Sequence, residues 1–220
     1  MKEGLSKELL AARAAREVRD GMYVNVGFGI PSLVPEYLAG KDIFLHTENG
    51  IIGMGPRAKK GAEDPDVINA TKQPVTIVPG GSIVSQSDSF MVIRGGHLDM
   101  TFLGAFQVSE KGDLANWKVP GEDTIPGMGG AMDLAAGTKC IVVTMTHTDK
   151  DGAPKILKEC TFPLTGRKCV SLIVTDLAVI RVTDKGLVLE ETAPGFTAAE
   201  IQKVTGAELI VSPALKEISI

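Results

Sequence analysis

The chain has 220 residues, 44% hydrophobic and 23% charged, a globular composition that excludes a disordered chain and fits one domain spanning 1–220. Lys and Arg number 23 against 27 Asp and Glu, and the formal charge of −4 argues against nucleic acid or an anionic membrane as the main partner. Three cysteines without C-x-x-C spacing (Cys140, Cys160, Cys169) argue against a disulfide framework or structural zinc, and a polar start with no long apolar run points to a cytoplasmic protein.

A helix is expected over 6–20, capped by Ser6, with Leu10, Ala14 and Val18 on one face and Gly21 as its stop. A strand over 22–26 runs into Gly27-Phe28-Gly29, and a short helix over 31–39 starts at Pro31 and stops at Gly40. A second strand, 43–46, leads directly to Glu48-Asn49-Gly50. Residues 54–74 are polar and read as a surface loop. Further strands are expected over 75–78, 98–103, 141–146 and, singly or as a pair, 171–182. Helices are expected over 87–94, 132–136 and 197–205, the last with Thr197 and Glu200 as a capping box. The run 141–146 is apolar without alternation, as in a parallel sheet covered on both faces. The fold class is therefore α/β: an open, mainly parallel sheet with flanking helices.

Several constellations are chemically ambiguous. Gly27-x-Gly29-x-x-Ser32 sits between a strand and a helix, but it lacks the third glycine and a clear ribose-binding acid, so glycines that merely turn the chain explain it better than a dinucleotide site. Amides at that helix start could still receive an anion. His46, His97 and His147 show no ligand spacing, and no G-x-S-x-G elbow is present, which argues against a metal and against a serine hydrolase. Glu48 should stand at the C-terminal edge of the sheet, where open α/β folds bind ligands. From spacing alone, a turn-forming Glu-Asn-Gly accounts for it better than catalysis does. The run Gly127-Met128-Gly129-Gly130-Ala131-Met132-Asp133 could offer backbone amides to an oxyanion, and a flexible turn explains it equally well.

Taken together, these residues resemble the β subunit of the family I CoA-transferases. The likeness rests on Glu48-Asn49-Gly50-Ile51-Ile52-Gly53-Met54-Gly55-Pro56, on 87–99 (Ser87-Asp88-Ser89 through His97-Leu98-Asp99), on Gly112-Asp113-Leu114-Ala115-Asn116-Trp117 and on the glycine run. It continues through Pro163-Leu164-Thr165-Gly166 and Thr175-Asp176-Leu177-Ala178-Val179, covering nearly the whole chain in order. Thr47 departs from it, since the family more often has Ser before the glutamate.

The resemblance implies that Glu48 is a nucleophile, acylated by an acyl-CoA and then carrying CoA as a glutamyl thioester. A carboxylate, ionised at neutral pH with an ordinary pKa of about 4.3, needs no general base for this. It further implies a backbone oxyanion donor at Gly129, with Gly130 as the alternative, and makes Gly27, Gly29, Asn49 and Gly50 the candidate substrate- and CoA-binding positions. No metal or resident cofactor is implied, coenzyme A being a substrate. An α subunit is implied, in an α2β2 or larger assembly. Succinyl-CoA or a short-chain acyl-CoA with a 3-oxoacid such as acetoacetate is the expected substrate pair; 3-oxoadipate and acetate/butyrate–acetoacetate exchange are alternatives. An acyl-CoA hydrolase and a noncatalytic ligand-binding domain are the competing classes.

Overall fold

The computed structural model describes residues 2–121 and 127–220, and its elements follow from local chemistry. Ser6 accepts a hydrogen bond from the Leu9 amide and starts α1 (Lys7–Ala15). The helix expected to reach residue 20 ends at Ala15 because the next amides, on Arg16, Glu17 and Val18, bond three residues back, a tightened last turn. After β1 (Tyr23–Val26), the segment Ile30–Tyr37 is a 3-10 helix rather than an α-helix. Pro31 and Pro35 carry no amide hydrogen to build the wider turn.

The chain continues through β2 (Phe44–Thr47), β3 (Ile51–Arg57), β4 (Val75–Ile83), α2 (Gln86–Arg94), β5 (Met100–Leu103), β6 (Gln107–Ser109) and β7 (Leu114–Ala115). Then come α3 (Ala131–Gly137), β8 (Cys140–Met145), β9 (Ile156–Leu157), β10 (Val170–Thr175), β11 (Ala178–Thr183), β12 (Gly186–Thr192), α4 (Ala198–Lys203) and β13 (Leu209–Glu217). One ten-stranded sheet has the order β13-β12-β11-β10-β8-β5-β1-β2-β3-β4, and β7-β6-β9 form a small second sheet.

The centre of the large sheet, β10-β8-β5-β1-β2, is parallel throughout. Its strands are buried on both faces. Ile141 and Val143 of β8 pack with Ile93 of α2 and Leu134 of α3, while Val142 between them packs with Leu10 and Ala14 of α1. Antiparallel ribbons close both ends: β3 and β4 beyond β2, and β11 and β12 beyond β10.

Two expectations fail at those ends. The polar stretch expected to be loop from residue 54 begins inside β3, and β4 runs on to Ile83 rather than ending at residue 78. Gly53 (φ +84°) explains how a glycine-rich run can pair: a Cβ there would lie 2.9 Å from Gly81 Cα, so glycine on both strands lets them approach at an irregular register. Strands β12 and β13, which are not among the expected strands, complete the far edge, with β13 pairing parallel to β12. Among the described residues, no helix is long and apolar enough to cross a membrane.

Candidate active site

Strand β2 ends in the hairpin turn Glu48-Asn49-Gly50, which returns as β3. The turn is pinned from three sides: the Gly50 amide donates to Thr47 O (3.0 Å), the Ile51 amide to Thr47 Oγ1 (3.1 Å), and the Val84 amide to Gly50 O (2.9 Å). Gly50 adopts φ +119°, and a Cβ there would collide with the Val84 carbonyl, so this position requires glycine. Glu48 therefore stands at the C-terminal edge of a parallel strand.

A cavity of about 710 Å³ opens there, lined by Glu48, by Val26 through Ile30, by Leu103 through Phe106, and by Gly127 through Ala131. Gly27 and Gly29 thus form part of its wall. Asn49 and Gly50 are not among its lining residues; Asn49 is exposed and its Nδ2 donates to Ile68 O (2.8 Å), tying the hairpin to the segment before β4. The glycine run is brought against the carboxylate, but its two members differ. Gly130, buried, faces Glu48 so closely that a Cβ on it would strike Oε2 and lie 3.1 Å from Phe90 Cζ. Gly129, at φ +54°, is exposed, and a Cβ there would meet nothing within 4 Å.

Burial, and secondarily the charge of Asp133, hold the Glu48 carboxyl above its ordinary pKa. Asp133 lies in the first turn of α3 and is itself paired with Arg94 of α2 (2.6 Å), whose guanidinium sits 5.7 Å from the Phe90 ring. The nucleophile candidate is thus poorly solvated, which raises the reactivity of its ionised form.

Beneath the turn runs a buried polar chain. Thr101 Oγ1 donates to Asn25 Oδ1 (3.2 Å); Asn25 Nδ2 reaches both His46 O (3.2 Å) and His46 Nδ1 (3.1 Å). A donor on Nδ1 leaves the proton of the neutral imidazole on Nε2, which lies 2.9 Å from Ser89 Oγ, and Ser89 donates onward to Thr47 O (3.3 Å). His46 stays neutral because burial pushes its pKa down to about 4. Every member is buried, and the chain ends on the carbonyl preceding Glu48.

No single segment announced these residues, which come from β1, β2, α2 and β5; the only sequence signal was polar side chains at otherwise apolar strand positions. Among the described residues, no group of three His, Cys, Asp or Glu side chains is placed to hold a metal.

The coenzyme A transferase family model matches residues 7–204. The chain belongs to the coenzyme A transferase family. Within that family it is 52% identical over 206 residues to a 3-oxoadipate CoA-transferase subunit of Pseudomonas putida, covering 94% of this chain and 97% of that one. It is 53% identical over 214 residues to mouse mitochondrial succinyl-CoA:3-ketoacid coenzyme A transferase 2A, 96% of this chain but 41% of that longer one. The solved acyl-CoA transferase apoenzyme of Escherichia coli O157:H7 superposes with a TM-score of 0.77 at 27% identity, over 97% of this chain and 43% of that one.

Proposed function

We propose that this CoA-transferase chain is the glutamate-bearing β subunit of an enzyme that moves CoA from succinyl-CoA to a 3-oxoacid. The single observation carrying this reading is a half-buried, desolvated Glu48 at the sheet's C-terminal edge, facing a cavity of about 710 Å³ walled by glycine backbone. Relatives named for 3-oxoadipate and for succinyl-CoA:3-ketoacid transfer support the substrate class, with 3-oxoadipate and acetoacetate as the two acceptors to compare.

The chemistry follows from the carboxylate. Glu48 attacks the thioester carbonyl, the C–S bond breaks, and the products are an acyl–glutamyl anhydride and CoA thiolate. The thiolate then attacks the glutamyl carbonyl, releasing the donor acid as a carboxylate and leaving a glutamyl–CoA thioester. The acceptor acid reverses both steps. Each addition develops an oxyanion, and a donor amide from the Gly129–Gly130 turn would contribute about 3 kcal/mol to each such transition state. Coenzyme A is substrate here, and the scheme uses no resident cofactor.

A thioester intermediate must be kept from water, yet Phe28 at the cavity wall is 80% exposed and Phe106 41%. An α subunit covering this rim, in an α2β2 or larger cytoplasmic assembly, would close the site. The test is to incubate the reconstituted pair with succinyl-CoA, quench, digest and weigh the peptides. A CoA-sized mass gain on the Glu48 peptide, lost on adding acetoacetate, is expected; CoA release without any such adduct overturns the reading.

A further inference from the structure

The cavity that holds Glu48 has a second polar end. Thr144 and Thr146, at the C-terminal end of β8, line it together with Lys155 and Lys7. Between β2 and β8 lie β1 and β5, so the two ends are three strand spacings apart, about 14 Å. The intervening wall is apolar or backbone at Val26, Gly27, Leu103 and Ala105, with Asn116, whose Nδ2 donates to Gly104 O (3.1 Å), as its polar member.

One feature of the far end is unexplained by the fold. Lys155 is half-buried, yet among the described residues it makes no ion pair, and its ammonium has only a long contact to Thr146 Oγ1 (3.4 Å). The nearby carboxylates are occupied by backbone: Asp176 Oδ1 accepts from the His147 amide (2.7 Å), and Asp149 Oδ1 from the Asp151 and Ala153 amides (2.9 and 2.8 Å). A half-buried cation that makes no ion pair is costly, and an anionic acceptor in the cavity would relieve it.

We propose that Lys155 forms the subsite for the distal carboxylate of a dicarboxylic acyl group, so that the cavity favours succinyl and similar diacid donors over unsubstituted acyl donors. This rests on the CoA-transfer reading above. Glu48 and Lys155 line the same cavity, and a short diacid bridging them would present its reacting carbonyl to Glu48. Lys7, exposed at the start of α1, adds positive charge at the same end.

The experiment uses the enzyme reconstituted with its partner subunit and follows the first half-reaction with succinyl-CoA and with butyryl-CoA, which lacks the distal carboxylate. Lys155→Met is expected to lower kcat/KM for succinyl-CoA about thirtyfold or more, chiefly through KM, and to leave butyryl-CoA within about twofold. Lys155→Arg should recover much of the succinyl preference. Equal losses with both thioesters would assign Lys155 to the CoA moiety or to folding and overturn the subsite; so would no loss. A wild-type enzyme that forms no Glu48 adduct with either thioester would instead sink the CoA-transfer reading itself.

Discussion

Ser89 of α2 donates its hydroxyl proton to the carbonyl of Thr47, the residue that carries Glu48 on its C-terminal side. The contact joins a helix on one face of the sheet to the end of a strand, and it is the last link of a chain reaching back through His46 and Asn25 to Thr101. Because the link ends on backbone, it acts on the direction in which the Glu48 side chain leaves the turn. Ser89→Ala removes the link and leaves the buried His46 Nε2–H without a partner, while the Thr47 carbonyl keeps the Gly50 amide, at a cost of about 1–3 kcal/mol in stability. The expected signature is a kcat that falls about tenfold or more while KM for the acyl-CoA stays within about twofold, measured beside a urea unfolding curve. A variant with wild-type kcat would show that the turn holds Glu48 without this support.

Glu48 itself should trade stability for reactivity. Its carboxyl pKa is raised in the fold, so above its folded value the ionised form is less well accommodated than in the unfolded chain, where about 4.3 is usual. Glu48→Gln removes that charge. At pH 7 the variant should be inactive in transfer yet melt higher than wild type. The gain should vanish as pH falls below about 4, where the glutamate is protonated in both states. A variant that melts lower at pH 7 would mean that the ionised carboxylate is stabilised by contacts outside this chain.

The two glycines at the wall are separable by substitution. Gly130→Ala would drive a methyl group into the Glu48 carboxylate and against Phe90, whereas Gly129→Ala meets open space and suffers only its positive φ. Gly130→Ala should abolish transfer, with near-UV circular dichroism unchanged. Gly129→Ala should lose about 1–2 kcal/mol of stability and keep measurable turnover. The opposite ranking would place the essential contact at Gly129.

Much of this was legible in the residues. Strand-end placement of Glu48 followed from an apolar run meeting Asn-Gly, and the Thr197–Glu200 capping box is present with both reciprocal bonds. Local rules failed where pairing with distant chain overrides propensity. Residues from 54 onward, Pro56 among them, read as loop, yet β3 runs to Arg57 because Gly81 across the ladder lets Gly53 approach it closely. Beyond β11, the edge is also tied to a distant helix: Arg13 of α1, itself buried, donates to both carboxylate oxygens of Glu191 on β12 (2.7 and 3.2 Å). The polar chain under Glu48 was hidden for the same reason, since Asn25 and Thr101 are 76 residues apart.

The buried histidines set an acid limit on the fold. His46 and His147 are both pushed down to about 4 by burial, with Lys155 adding a smaller push at His147, whose ring nitrogens lie 2.9 Å from Thr175 Oγ1 and Thr205 Oγ1. An unfolded histidine takes up its proton near pH 6.5, the folded one only near 4, so the unfolded state binds more protons in between and stability falls as pH drops through that window. From pH 7.5 to 5 the loss should be on the order of 2 kcal/mol for each histidine. Urea unfolding at the two pH values checks this, and His147→Gln should flatten the dependence by roughly one histidine's share. In the native protein, NMR titration should find neither imidazole protonated above about pH 5; a midpoint near 6.5 for His46 would mean that the chain from Thr101 to Ser89 opens in solution and does not hold the turn that carries Glu48.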